Sequence, residues 1–287
     1  MTNSKLQNVI SKIQAEPKAI TIVVGNQKGG VGKTTNTYLI GYTLAKMGLN
    51  VLVADLDPQA NATKVLWLTK NREAKELETI DKTLMFGVQE GNLTNLPVKI
   101  MDNLSLLPSY IDFQGFTKYV YTHTNGDGYQ ESHILQPLFE PLKSDYDIIL
   151  VDTPPFSKEV TDNAIMFSDY ALISLQTQDD SLTGAEEYVN TLVTLNEKFN
   201  VNLEIIGVLP VLSDSRSGVD QTVLNAAQTE FGDENVFKTV VPQMARVKRF
   251  SLNGITDRDR FDHRVTDLYQ KVTDEVLERL ALLRGIK

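Results

Sequence analysis

The sequence predicts an α/β protein built on a doubly wound, mostly parallel sheet flanked by helices. Three observations carry that prediction. Short apolar runs that read as buried strands alternate with segments of helical apolar spacing. One run, AITIVVG at 19–25, leads through a glycine-rich stretch, GNQKGGVGKTT at 25–35, into a helical pattern over 38–47. Two more, NVLVADLD at 50–57 and YDIILVD at 146–152, end in aspartates, at the strand ends where open α/β sheets place their ligands. With 287 residues and 41% hydrophobic content the chain can bury a substantial core. One domain over 1–287 is expected, with a short helical extension at about 1–18.

In that extension Leu6, Val9, Ile10 and Ile13 stand at helical spacing before Pro17, so a short amphipathic helix is expected to pack on the body. The opening MTNSKLQNVI lacks a basic segment followed by a long apolar one, which argues against a signal peptide. No apolar run reaches the roughly 18 residues of a membrane span, so a cytoplasmic protein is expected.

The stretch at 25–35 has the strand–loop–helix context of a phosphate-binding loop. Gly29, Gly30 and Gly32 open backbone conformations closed to other residues and let the main chain approach an anion. The N–H groups of Gly29, Gly30, Val31, Gly32, Lys33, Thr34 and Thr35 would then surround phosphates at a helix N-terminus. Lys33 supplies a point charge for the β- and γ-phosphates, and the Thr34 hydroxyl can ligate Mg²⁺. Gln27 holds the place of the usual first glycine, and an additional lysine, Lys28, follows it.

Farther on, Asp55 and Asp57 are expected to face the phosphates from the end of the second strand. Residues 67–91, charged and helical in pattern, read as a surface elaboration, and DNLSLLPSY at 102–110 as a short strand ending at Pro108. The polar, glycine-containing stretch at 121–131 reads as a loop, with His123 and His133 as surface residues. Asp152, closing an apolar strand, is placed to hold Mg²⁺ through water. ALISLQ at 171–176, EIIGVLP at 204–210 and TVVP at 239–242 are further strands, separated by helices at 185–199 and 218–231. A final amphipathic helix spans 264–283, its polar face mixed in charge.

KGGVGKTT at 28–35 resembles the deviant Walker A box, K-G-G-x-G-K-[ST], of the ParA/MinD branch of P-loop ATPases. DLDPQANAT at 55–63, NLSLLPS at 103–109 and DTPP at 152–155 extend the resemblance to ParA/Soj-type partition ATPases over nearly the whole chain. The resemblance implies an ATP- and Mg²⁺-dependent hydrolase that forms a homodimer on ATP, with Lys28 reaching the partner's nucleotide. It implies that Asp57 positions the attacking water and supports the Mg²⁺ shell, and that Pro210 and Pro242 mark the adenine pocket. The dimer would bind DNA without sequence preference and be stimulated by a ParB-type centromere-binding protein, associating with the nucleoid in its ATP state.

The net charge of −9 repels DNA on average, so DNA contact needs a local patch. Arg246, Lys248 and Arg249 form the densest candidate, unless they neutralise neighbouring acids. A MinD-like membrane-cycling regulator would favour a basic polar face on the last helix, which is absent. A metabolic synthetase of the same superfamily predicts phosphate transfer without DNA, and a nucleotide-gated scaffold predicts negligible hydrolysis. With no cysteine, disulfides, thiolate metal sites and the iron–sulfur relatives are excluded.

Overall fold

Strands buried on both faces read as unbroken apolar runs, and parallel pairing requires a long crossover between them. The computed structural model, which describes residues 2–72, 79–177, 181–213 and 218–286, realises both rules. Its strands are β1 (Ile20–Gly25), β2 (Val51–Asp55), β3 (Val98–Met101), β4 (Leu104–Leu107), β5 (Ile148–Asp152), β6 (Tyr170–Gln176), β7 (Glu204–Ser213) and β8 (Val241–Pro242). They form one sheet in the order β3-β4-β2-β5-β1-β6-β7-β8. Every pairing is parallel except β3 with β4. Sequence reasoning misses β3 because this four-residue edge strand buries only Ile100.

The helices are α1 (Asn3–Gln14), α2 (Lys33–Lys46), α3 (Asn61–Asn71), α4 (Leu84–Glu90), α5 (Phe116–Thr124), α6 (Gly128–Ser132), α7 (Gln136–Phe139), α8 (Lys158–Met166), α9 (Ser181–Phe199), α10 (Gly218–Phe231), α11 (Ala245–Asn253) and α12 (Arg260–Leu283). Alternation along β1 shows how they sort. Ile20, Ile22 and Val24 join a core with α1, α2, α3, α11 and α12, whereas Val23 faces a second core under α4, α5, α8 and α9. The amphipathic α1 lays Val9, Ile10 and Ile13 into the first core.

Two regions differ from the sequence expectation. Within 67–91, α4 buries Leu84, Met85 and Val88, so this part is core and not surface; residues 73–78 lie outside the described residues. The expected loop at 121–131 is largely helical: α5 runs to Thr124, Asn125 and Gly126 turn the chain at positive φ, and the Asp127 carboxylate caps α6. His123 stacks on Tyr119 and His133 on Tyr129, with ring centroids 3.9 and 3.8 Å apart. No helix among the described residues is long and apolar enough to cross a membrane.

The packing of α9 fixes the end of β1. The Tyr188 ring lies so close over Gly25 that a Cβ there would sit 1.9 Å from it. At Gly184 a Cβ would meet Asn26 Oδ1 at 2.7 Å. These contacts hold the start of the glycine loop against the second core.

Candidate active site

β1 ends at Gly25 and α2 begins at Lys33, leaving the glycine loop between them at the carboxyl edge of the sheet. Gly30 and Gly32 take φ of 78° and 81°, the left-handed region. Gly29 does not, contrary to the sequence expectation; a Cβ there would reach Pro155 at 3.7 Å, an ordinary contact. The Asn26 side chain braces the entry, donating to Ser174 O at 2.8 Å and accepting from Lys28 N at 2.8 Å. No side chain caps α2 at Gly32, so its first N–H groups face the loop's concavity uncapped, as an anion site requires.

Lys33 is only 5% exposed. Its ammonium donates to the Lys28 carbonyl at 2.9 Å, across the mouth of the loop. Burial pulls its pKa down, and the charges of Asp152 and Asp57 oppose that pull. Lys28 is half-buried, and its backbone is engaged on both sides, by Asn26 and by Lys33.

The strand register brings the carboxylates together. Asp152 pairs with Val24 on one side and with Asp55 on the other. Asp55 is fully buried and spent on local structure: it accepts from Thr63 N and Thr63 Oγ1, each at 2.8 Å, and from Asp57 N at 3.0 Å. It therefore ties the start of α3 to the strand end and does not face the phosphates, a correction to the sequence expectation. Burial pushes its pKa up to about 6. Asp57, two residues past the strand, lines the cavity, with its carboxylate accepting from Gln59 N at 2.9 Å.

Asp152 is the unsatisfied member. It has no exposed surface, and neither carboxylate oxygen has a partner with hydrogen-bond geometry. Burial, then the charges of Asp55 and Asp57, push its pKa well up, with the Thr34 hydroxyl and Lys33 ammonium opposing. Two orphaned buried oxygens close to a threonine hydroxyl suit a hard divalent cation that keeps most of its waters. Among the described residues, no cluster of three or more His, Cys, Asp or Glu side chains could hold a metal unaided. Mg²⁺ held by few protein ligands plus substrate oxygens fits that donor set.

From the loop, a cavity of about 680 Å³ opens past Asp57 to a wall made by Val211 and Leu212 of β7, Pro242 of β8, Met244, Val247, Lys248 and Ser251 around α11, and Tyr269 of α12. All seven residues from Gly29 in the loop to Thr35 in the first turn of α2 line it. Pro210 does not: β7 continues past it to Ser213, so Pro210 still sits in the sheet opposite Leu175, and the lining starts one residue later. Sequence reasoning has no element for α11, and with it misses Met244, Val247 and Ser251 of this wall.

The basic cluster does not form one outward face. Arg246 turns inward, with NH2 2.6 Å from Asp259 and NH1 3.3 Å from Asp262, which is 1% exposed. Lys248 lies on the cavity wall, and Arg249 is exposed. Thus Arg246 serves as a structural counter-ion, correcting its place in a surface patch. Breaking a buried pair costs about 3–5 kcal/mol, and Asp259 is partly in water, so Arg246→Ala is expected to destabilise the fold by about 2 kcal/mol. A lowered urea midpoint at constant m-value would register this; an unchanged midpoint would sink it.

A glycine loop joining a strand to a helix, with a buried lysine inside it and an aspartate closing the adjacent strand, defines a P-loop nucleotide-binding protein. Residues 19–205 match the family described as an AAA domain. Over 234 residues the chain is 31% identical to the sporulation initiation inhibitor protein Soj of Bacillus subtilis, covering 81% of this chain and 88% of that protein. It is 30% identical over 268 residues to the chromosome-partitioning ATPase Soj of Thermus thermophilus, covering 92% and 97%. The ATP complex of McdA from Cyanothece shares the fold, with a TM-score of 0.75 over 95% of this chain and 98% of that one at 20% identity. The chain belongs to the Soj/ParA family of chromosome-partitioning ATPases.

Proposed function

We propose that the chain, acting as one domain with α1 as an extension, binds ATP·Mg²⁺ in this cavity, closes as a homodimer, and uses hydrolysis to time its release from DNA. The observation that carries the reading is the Lys33 ammonium resting on the Lys28 carbonyl beside the orphaned Asp152 carboxylate. Thr34 and Asp152 would hold the cation, Asp152 through water, with Asp57 supporting its hydration shell. Bound there, the ion would neutralise charge on the phosphate oxygens.

The protein's own residues do the rest. Lys33 exchanges the Lys28 carbonyl for phosphate oxygens, and the N–H groups from Gly29 to Thr35 surround them. Val211, Pro242 and Met244 hold the base. Asp57 orients water for in-line attack on the terminal phosphorus, whose bond to the leaving oxygen breaks to give ADP and phosphate. Lys28, on the loop's rim, contacts the nucleotide of the second subunit.

Lys28→Ala is expected to keep ATP affinity near that of the parent but to lose the ATP-induced dimer. Light scattering with and without ATP tests this reading of the function, and an unchanged ATP dimer would overturn it.

With Arg246 engaged, we place the non-specific DNA contact at Arg249 and the solvent side of Lys248. Such a dimer would associate with the nucleoid, and a ParB-type centromere-binding protein would accelerate its turnover. Two copies of Arg249 per dimer make about two phosphate contacts, so Arg249→Glu should flatten the slope of log affinity against log salt by about 2. An unchanged slope in DNA titrations across salt concentrations would move the patch elsewhere.

A further inference from the structure

The residue that aims the glycine loop lies outside it. Ser174, in the middle of β6 and without exposed surface, touches both arms of the loop. Its carbonyl accepts the Asn26 side chain at the entry. Its hydroxyl donates to the Val31 carbonyl in a short contact, and accepts from Asn36 Nδ2 at 2.9 Å. Asn36 Oδ1 in turn accepts from the Tyr269 hydroxyl at 2.8 Å. Asn36 and Tyr269 are each 1% exposed. The protons therefore run in one direction, from Tyr269 on α12, through Asn36 on α2 and Ser174 on β6, to Val31 in the loop.

The end point matters because of peptide geometry. The Val31 carbonyl and the Gly32 N–H belong to one planar trans unit and point to opposite sides. Holding the carbonyl inward on Ser174 turns the Gly32 N–H outward, toward the cavity that Gly32 lines. Gly32 sits at φ 81°, in the left-handed region that a glycine enters and leaves easily, so the loop alone does not fix this peptide.

We infer that Ser174 is a positioning residue for phosphate binding, and that the Tyr269–Asn36–Ser174 chain couples α12, a wall of the cavity, to the orientation of the Gly32 N–H. This rests on the reading that phosphates bind in the loop. Hydrogen bonds in a buried chain polarise one another, and stranding one end leaves buried groups unpaired. The effect should thus reach beyond the first bond.

Calorimetric titration with ADP tests it. Ser174→Ala should weaken ADP binding about tenfold. The control is Ser168→Ala, which removes a comparably buried hydroxyl, bonded to Ala164 O at 2.7 Å away from the loop. Ser168→Ala should lower the nucleotide-free thermal midpoint yet keep the parent's ADP affinity, whereas Ser174→Ala, which strands both Val31 O and Asn36 Nδ2, should lower the midpoint at least as much and weaken ADP binding too. Tyr269→Phe keeps the ring and probes the far end: ADP affinity should fall about threefold, and amide exchange across residues 30–34 of the ADP complex should quicken.

Parent-like ADP affinity in Ser174→Ala, or an equal loss in Ser168→Ala, overturns the assignment. Tyr269→Phe unchanged on both counts removes α12 from the coupling. A parent chain that binds no ADP would instead overturn the nucleotide reading, and this inference with it.

Discussion

Lys33→Ala is expected to abolish nucleotide binding. The ammonium is the one side-chain cation inside the glycine loop among the described residues that line the cavity there. It is 5% exposed and already held across the loop mouth by the Lys28 carbonyl at 2.9 Å. Burial pulls its pKa down, with the carboxylates of Asp152 and Asp57 in opposition, so the cation is pre-placed in a poorly solvated site. Hydrogen bonds to charged groups contribute about 1.5–3 kcal/mol each. Losing two of them to phosphate oxygens should raise the ATP dissociation constant by more than about 10²-fold. Removing the cation also takes away the charge that interacts with Asp152 and with Asp57 on the cavity wall, so the carboxylates repel incoming phosphates more strongly. Calorimetric titration with ATP is the check, and normal affinity would contradict the phosphate-loop assignment.

The second large effect is on turnover. Asp57→Ala should leave ATP binding and ATP-dependent dimerisation in place while hydrolysis falls by about 10²-fold or more, the scale of general-base and water-positioning groups. The carboxylate stands on the cavity wall, 7% exposed, and the Gln59 N–H at 2.9 Å fixes its orientation. Asp55, its neighbour two residues back, cannot substitute, because its oxygens are bonded to Thr63 and to the Asp57 N–H. Phosphate release measured at saturating ATP decides the matter; a parent rate would strip Asp57 of the role.

Why some parts were legible in the sequence and others were not has physical reasons. β1, β2, β5 and β6 are buried along nearly their whole length, and such strands announce themselves as apolar runs. The glycine loop is legible because its chemistry is local to eleven consecutive residues. Asp55 and Asp57 looked equivalent by strand period; only the end of β2 at Asp55, and the placement of Thr63 over it, separate the cap from the cavity residue.

The resemblance puts Pro210 at the pocket because the strand over 204–210 is expected to end there. Here β7 runs past it, and pairing with β8 begins only at Val211. Arg246 misled because its partners, Asp259 and Asp262, lie one helix further along the chain. Charge density in sequence says nothing about which way each side chain turns.

The close seat of Tyr188 over Gly25 ties together the histories of two distant segments. A sequence drifting from this one cannot enlarge residue 25 in a single step, because the aromatic ring occupies the space of the first carbon. Residue 188 would have to shrink first, and that intermediate would carry a hollow in the second core. The two positions are therefore heritable as a unit, although more than half the chain separates them. Chimeras that take the glycine loop from one relative and α9 from another should fail at this joint, unless both fragments bring the glycine and the tyrosine together.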